Sequence, residues 1–422
     1  MSSPTLTAPA DLGRRSLLLA PLGKPFVTIG WALWIIFAIV VAVRVGLHPE
    51  KNSVSACYRG ACAAWWSGRE MYDDLYNGFI YLPHAALFYT PFQMLPLWLG
   101  ESLNRIAIIA LTAWSVWRIT RLTSTTPWNE YFFAVSAITI GVGAGNAING
   151  QYNLPLAGTI ILAVCSLIER RWWSAAIWLV VSILLKPIAV APVLLAIALF
   201  PAMWWRVPIV SLCVFFVPLL FSIRDPHYAW AEYQTFWNTV LRATLPLERR
   251  FAEFSTVLWW FGWDLNNAQR TLWRAAAALI TLGLSFVALL RHGAFRGTLL
   301  MWALGTAYLM LFNPRTEGLT YVIVAPAVAL FGLFEAADEK KPTWRRAAGF
   351  GIIAMGIVMI FVHELMPRTG RYAQVAQGSK DLLVRPIMTM LFYLWLTWLA
   401  LIDRSTPADF TRGARSSPSP CS

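Results

Sequence analysis

Long apolar runs separated by short polar stretches recur along almost the whole chain. They fall near residues 26–46, 79–99, 103–122, 128–145, 152–168, 172–185, 187–201, 207–223, 271–291, 297–312, 319–334, 347–363 and 385–402. Runs of this length and polarity are typical of helices that cross or partly cross a membrane. The pattern therefore predicts an all-α polytopic integral membrane protein with up to about 13 membrane segments.

Prolines and one lysine divide some of these runs. The run 79–99 carries Pro83, Pro91 and Pro96, so it cannot form one regular helix and is predicted to be re-entrant or to lie on the membrane surface. The short runs on either side of Lys186-Pro187 predict a pair of half-length helices. With 79–99 not crossing, the chain is predicted to cross the membrane about 12 times.

The composition agrees with this class, with 58% hydrophobic and 13% charged residues. The net charge of +13 comes mostly from basic clusters between the runs, which report membrane orientation rather than binding to nucleic acid. The clusters that define the cytoplasmic face are Arg14/Arg15/Lys24, Arg118/Arg121, Arg170/Arg171, Arg206, Arg291/Arg296, Lys340/Lys341/Arg345/Arg346 and Arg404/Arg412. The connections expected on the outer face are 146–151, 186–187, 224–270, 313–318 and 364–384.

These orientations divide the chain into a membrane domain with two cytoplasmic ends. The predicted parts are a cytoplasmic segment 1–25, a transmembrane domain 26–403 with outer loops 47–78, 224–270 and 364–384, and a disordered tail 404–422. The first apolar run is too long for a signal-peptide core and is interpreted as a retained span in the cell membrane. Loop 47–78 predicts a helix on the membrane surface and ends in three acids, Glu70, Asp73 and Asp74.

A dense group of polar residues follows the run 128–145. Asn146, Asn149, Gln151 and Asn153 bring amide donors and acceptors into a glycine-rich stretch. Because an unsatisfied amide in hydrocarbon costs several kcal/mol, this group is expected at an interface, against protein or around a wet cavity. A simple helix-breaking loop is the alternative interpretation.

Two further stretches place charge near the membrane. A lysine such as Lys186 costs roughly 2.5–3.5 kcal/mol at mid-bilayer, which predicts an anionic partner, unless its side chain reaches a nearby interface. The segment 313–318 offers the guanidinium of Arg315 for a phosphate beside the carboxylate of Glu317, although these two residues could simply pair. Glu101 and Arg105 are spaced as a helical ion pair.

Sequence signatures of nucleotide chemistry are lacking. There is no Walker loop, no GxGxxG after a strand and no Asp-x-Asp motif for a pyrophosphate-bound manganese ion. The five cysteines form no metal-ligand spacing, so we expect no metal and no cofactor, while Cys57 and Cys62 could form a local disulfide. A lipid-borne substrate with one phosphate would need only cations at membrane depth, an acid at the outer rim and an apolar groove.

Several short motifs come in an order and spacing known from one family. They are Gly68-Arg-Glu-Met-Tyr72, Phe79-Ile-Tyr-Leu-Pro83, Thr90-Pro-Phe92, Gly150-Gln-Tyr-Asn-Leu154 and Leu184-Leu-Lys-Pro187. With these motifs, residues 25–335 resemble glycosyltransferase family 87, the polyprenyl-phosphate-sugar-dependent mannosyltransferases of the GT-C fold. The resemblance implies a GT-C-like helical bundle, a polyprenyl-phosphate-linked sugar donor and a substrate-binding place for Tyr81.

Two positions depart from the family pattern. Family members usually carry an aspartate shortly before a tyrosine comparable to Tyr58, but the stretch Asn52-Ser-Val-Ser-Ala-Cys-Tyr58 contains no acid. Where many members have a Ser-Pro-x-x-Trp-x-His segment, this chain has Asn313-Pro-Arg-Thr-Glu-Gly-Leu-Thr-Tyr321. The resemblance therefore implies the activity class but leaves the catalytic base open.

The first hypothesis is an inverting transfer of a sugar, mannose in the first instance, to a lipid or glycan acceptor at the outer face of the membrane. Asp73 or Asp74 is the predicted base, with Glu317 or Glu70 as the alternative. Lys186 and Arg315 are predicted to bind the phosphate within roughly 10–12 Å of each other, since one bridging phosphate spans about that distance. Gln151, Asn153 and Tyr81 complete the predicted substrate site.

Two other classes of function stay open from the sequence. A transporter or lipid flippase would also use discontinuous helices near mid-membrane. A non-catalytic scaffold in an envelope-assembly complex is compatible with the missing aspartate.

Overall fold

A computed structural model describes residues 24–51, 54–72, 78–124, 129–222, 225–243, 251–365 and 382–403, and the regular elements within these ranges are all helices. The α-helices are α1 (Lys24–Leu47), α2 (Ser55–Ser67), α3 (Pro83–Gln93), α4 (Leu97–Thr123), α5 (Phe132–Asn149), α6 (Asn153–Ile168), α7 (Trp172–Leu185), α8 (Val190–Leu199), α9 (Met203–Phe221), α10 (Pro226–Ala243), α11 (Phe254–Trp260), α12 (Asn267–Phe312), α13 (Ala325–Ala336), α14 (Thr343–Leu365) and α15 (Val384–Leu401). Short 3₁₀ helices cover Pro187–Ala189 and Gly318–Ile323. Most of the predicted segment 1–25, most of loop 364–384 and the predicted tail 404–422 lie outside the described residues.

The helix breaks predicted from prolines are present. The run 79–99 is divided between α3 and α4, and Pro96 directly precedes α4 in an extended conformation. Lys186 is also extended, with φ −151° and ψ 127°, because a residue before proline avoids the helical region. The predicted pair of shorter helices, α7 and α8, is therefore confirmed, and so is the predicted helix in loop 47–78, which is α2.

One helix boundary differs from that predicted, and one predicted break lies within the range of α12. The helix α5 continues through the polar stretch to Asn149 and ends at Gly150, whose φ of 66° gives a left-handed cap. The runs 271–291 and 297–312 are separated as predicted, because Gly293 within the range of α12 has non-helical dihedral angles (φ 71°, ψ 176°) and Tyr308 donates back to the Arg274 carbonyl at 3.3 Å. Cys57 and Cys62 are free thiols, so the disulfide considered between them does not form.

The predicted number of membrane crossings is not confirmed. Among the described residues, six helices are long and apolar enough to cross a membrane. They are α1, α5, α9, α12, α14 and α15. The apolar helices α6, α7, α8 and α13 are shorter. The structure therefore defines a polytopic helical membrane protein in which several shorter apolar helices pack among the long ones.

The helix α6 lies at the centre of the bundle. It is buried from Asn153 to Leu167 and packs against α4 and α7, as expected of a helix that is apolar on all sides. By contrast, α1 exposes Ile35, Ile36 and Ile39, which is the surface expected against lipid tails. The first residue of α6 is Asn153, so an amide side chain lies at the start of this central helix.

Two groups of paired charges lie at the ends of α6 and α13 that are opposite the amide residues. Arg118 near the end of α4 pairs with Glu169 just after α6, with 2.7 Å between Nη2 and Oε1. Arg345 of α14 pairs with Glu335 of α13 at 2.8 Å and with Asp403 after α15 at 2.9 Å. These pairs close one end of α6 and α13, while the amide residues before α6 lie at the other end.

Candidate functional site

Lys186 lies between α7 and α8 and faces the first residue of α6. Its Nζ donates a hydrogen bond of 2.7 Å to Asn153 Oδ1. The same Nζ lies 5.6 Å from the centroid of the Tyr81 ring, within cation–π distance. The side chain is only half-buried, so a cation stands at the edge of the packed interior with an aromatic face beside it.

Asn153 connects Lys186 to the rest of the polar group. It is fully buried, and its Nδ2 donates to Asn146 Oδ1 and to Gln151 Oε1, each at 3.0 Å. Asn146 in turn donates to the Leu319 carbonyl at 2.7 Å. The amides therefore satisfy one another, which offsets the free-energy cost of burying them.

Glu317 is joined to this network through Gln151. Its Oε2 lies 3.4 Å from Gln151 Nε2, and its carboxylate also accepts from the Thr320 backbone N–H at the start of the 3₁₀ helix Gly318–Ile323. The turn that contains Glu317 is fixed to the segment before α11, because the Ala252 N–H donates to the Thr316 carbonyl at 2.8 Å. Arg315 lies half-buried in the same turn, two residues before Glu317.

An aromatic cluster supports the Tyr81 side of the site. The fully buried Tyr58 ring of α2 stacks on Tyr152 with 4.2 Å between centroids and lies 5.0 Å from Tyr81. Phe79 packs edge-on against Tyr58. Sequence reasoning did not place Tyr152 in the site, although it stands between the predicted residues Gln151 and Asn153.

A buried ion network holds α2 over this cluster. Glu101 and Arg105 form the helical pair expected from their spacing, with 2.8 Å between Oε2 and Nη1, and both side chains are fully buried. Glu101 also accepts from Arg59, Tyr89 and the hydroxyl of Ser55. With four donors, Glu101 is committed to this network, although it lies beside the stretch where the family carries its aspartate.

An apolar groove of about 750 Å³ opens between α3, α7, α9 and α10. Leu82, Ile183 and Leu184 form part of its wall, next in sequence to Tyr81 and within three residues of Lys186. Trp230 and Trp237 of α10 also line it. The groove is therefore lined by residues that are close in sequence to Tyr81 and Lys186, and it offers an apolar ligand a largely apolar wall.

The segment after α2, residues 68–72, crosses from α10 to Tyr81 and is called the strap below. Tyr228 of α10 donates to the Arg69 carbonyl at 2.7 Å, and Tyr72 donates to the Tyr81 carbonyl at 2.7 Å. Glu70 of the strap is exposed. The predicted bases Asp73 and Asp74 follow the strap directly and lie outside the described residues.

Of the predicted site residues, the structure brings together Lys186, Tyr81, Asn153, Gln151 and Glu317. Arg315 belongs to the turn of Glu317. The site is thus a cation in an amide network, placed near an apolar groove of a helical membrane protein.

The comparison with protein families agrees with this class of site. The model of glycosyltransferase family 87 matches residues 79–314, more than half of the chain. The chain therefore belongs to glycosyltransferase family 87 and is a membrane glycosyltransferase. The family resemblance of the sequence motifs is confirmed. A search of curated protein sequences found no match.

Proposed function

We propose that the protein transfers a sugar, mannose in the first instance, from a polyprenyl-phosphate donor to a hydroxyl of a lipid or glycan acceptor. The transfer takes place at the outer face of the cell membrane. One observation carries this proposal: the apolar groove is lined by Leu82 and Leu184, which lie one residue after Tyr81 and two residues before the half-buried cation of Lys186. A ligand that fits both is an apolar chain ending in an anion, which describes a polyprenyl phosphate.

The same arrangement supports direct displacement. The acceptor oxygen attacks the anomeric carbon from the side opposite the phosphate, so the bond from carbon to phosphate oxygen breaks as the new glycosidic bond forms. The configuration is therefore inverted, and the phosphate leaves with the bonding electrons. Lys186, with Arg315 from the turn beside Glu317, stabilises the charge that develops on the phosphate, usually the largest catalytic contribution in such a site.

The acceptor must lose one proton in this step. Asp73 or Asp74 takes it in our proposal, because the strap leads directly to them from the Tyr72–Tyr81 contact. Glu317 is the alternative within the described site, although its carboxylate already accepts from Gln151 and Thr320. Replacing Asp73 and Asp74 singly by Asn distinguishes these bases, since full activity in both variants would leave Glu317 or Glu70.

Lys186→Met tests the phosphate site. We expect transfer from a labelled polyprenyl-phosphate sugar to fall by about 10²–10³-fold, the usual effect of losing one charge-stabilising donor. Lys186→Arg keeps the cation and is the matched control, with at least about ten times the residual activity of the Met variant. Because Asn153 Oδ1 loses a donor in the Met variant, unfolding should become easier by about 1–3 kcal/mol, so rates are compared per folded protein.

Transfer by Lys186→Met at the parental rate would contradict the proposed site. Proteoliposomes separate this function from lipid movement. If labelled donor crosses the membrane and no new glycosidic bond forms under any condition, the transport alternative replaces the transfer reaction.

A further inference from the structure

Glu232 on α10 is a buried carboxylate that the proposed reaction does not use. Only 4% of the residue is exposed, and its Oε2 accepts a hydrogen bond of 3.3 Å from the Met71 backbone N–H of the strap. In the part of the chain that the structure describes, Glu232 makes no ion pair. The helix α10 is not among the helices apolar enough to cross the membrane.

The groups that face Glu232 give its charge little compensation. Glu70 of the strap is a second acid nearby, and Tyr72 and Tyr228 are the phenols on either side. The one guanidinium of the strap, that of Arg69, donates to the Ser67 hydroxyl and not to Glu232. A buried carboxyl with one backbone donor, no cation and an acidic neighbour favours its neutral form.

We propose that Glu232 is a positioning residue of the transfer site, which in its neutral form fastens the strap to α10. The strap then sets Tyr72 on the Tyr81 carbonyl, and the Tyr81 ring lies beside Lys186. The assignment rests on the proposed function, because it places the strap in the transfer site. Glu232 itself acts through the backbone of Met71 and does not take the acceptor's proton.

The pKa of Glu232 gives the direction of the pH effect. Burial, reinforced by Glu70, raises it from an ordinary 4.5 to about 7. If the strap leaves α10, water reaches the carboxyl and the pKa returns towards its ordinary value. The docked strap therefore binds the proton more tightly, so docking is strongest below about pH 4.5 and weakens until the pH has passed about 7.

Hydrogen exchange of the strap amides tests this without requiring any sugar transfer. The full chain in lipid nanodiscs is measured from pH 6 to pH 8, with rates corrected for intrinsic exchange. Protection of the strap in the parent chain should fall by about ten-fold over this range, because docking follows the proton bound to Glu232. Glu232→Gln, which keeps the acceptor oxygen without the charge, should hold the protection constant. Glu232→Ala should lower it at every pH.

Activity gives the second measurement. Glu232→Gln should transfer sugar at a rate close to that of the parent below pH 7 and should lack the parent's decline above it. Glu232→Ala should be slower throughout. Glu70→Gln is a matched control on the strap itself: it removes the acidic neighbour and should move the midpoint of the exchange curve to lower pH.

The proposal fails if strap exchange in the parent chain does not depend on pH, or if the Gln variant is as inactive as the Ala variant. The second result would make Glu232 a proton acceptor instead. If no variant transfers sugar but the exchange pattern is as described, the proposed function fails while the role of Glu232 in fastening the strap stands.

Discussion

Gly150 and Gly68 take the same backbone conformation but meet different surroundings. Both end a helix, α5 and α2, with φ near +67°, which side chains other than glycine rarely adopt. A Cβ on Gly68 would meet nothing within 4 Å, whereas a Cβ on Gly150 would lie 2.5 Å from Arg105 Nη1. Arg105 cannot move aside easily, because its guanidinium is fully buried and paired with Glu101.

Replacing each glycine by alanine separates backbone strain from overpacking. Gly68→Ala should lower the free energy of unfolding by about 1 kcal/mol, the cost of the left-handed conformation alone. Gly150→Ala adds the clash with Arg105 and should cost about 2–4 kcal/mol in total. Thermal or denaturant unfolding of both variants in the same detergent measures the difference. Equal costs would mean that the Arg105 guanidinium is free to shift.

How far single residues can be predicted depends on whether their partners are near in sequence. The amides before α6 could be expected to pair, because buried amides must be satisfied and several stand within eight residues. Glu232 could not be singled out, since on α10 it resembles an ordinary polar surface residue. Its burial comes from the strap, about 160 residues earlier in the chain.

At the scale of elements, a proline in α9 leaves one backbone carbonyl without its helical hydrogen bond, and a residue of α3 supplies the missing donor. Pro218 has no N–H, so the Val214 carbonyl four residues earlier lacks its helical partner. His84 of α3 donates to this carbonyl from Nε2 at 2.8 Å. The ring is thereby held between α9 and Tyr233 of α10, whose hydroxyl lies 3.4 Å from His84 Nδ1. His84 therefore links α3, α9 and α10, which form three of the walls of the apolar groove.

A double-mutant cycle tests this coupling. His84→Leu should cost about 1–3 kcal/mol, because it leaves the Val214 carbonyl unsatisfied. In a chain that also carries Pro218→Ala, the new N–H can bond Val214, so the same His84→Leu change should cost about 1 kcal/mol less. Unfolding of the parent, the two single variants and the double variant gives the interaction energy. Additive costs would show that Pro218 and His84 act independently.

Helix breaks were predictable where the cause is local. Pro187 forces Lys186 into an extended conformation whatever the rest of the chain does. The continuation of α5 to Asn149 was not predictable in the same way. It depends on Asn146 finding the Leu319 carbonyl, a contact across more than 170 residues. The break at Gly293 was again predictable, because polar residues there separate two apolar runs, and in the structure Gly293 has non-helical dihedral angles.

At the scale of the whole molecule, the set of helices that hydropathy identifies as membrane spans differs from the set of helices long enough to cross. The helix α4 is long enough to cross, yet it contains Glu101, Arg105 and Arg118 and is not among the six apolar spans. In the structure these charges are paired, with one another or with Glu169. The sequence therefore predicted the class of protein, but the number of crossings depends on contacts that a hydropathy pattern does not contain.

The paired basic residues at one end of the bundle predict how the protein is oriented in the membrane. Arg118 and Glu169 pair at the end of α6 opposite Asn153, and Arg345, Glu335 and Asp403 pair at the end of α13 opposite the 3₁₀ helix Gly318–Ile323. Because basic residues between spans stay in the cytoplasm, the end that contains Lys186 should face outwards.

Cysteine labelling in intact cells tests this orientation. Glu70→Cys lies on the exposed strap at the Lys186 end, and Arg170→Cys lies on the exposed turn between α6 and α7 at the basic end. Both are placed in a background in which Cys57, Cys213 and Cys421 are serine. A membrane-impermeant maleimide should label Glu70→Cys in intact cells and Arg170→Cys after permeabilisation. The reverse pattern would turn the transfer site to the cytoplasm, where the donor would have to be presented from the inner leaflet.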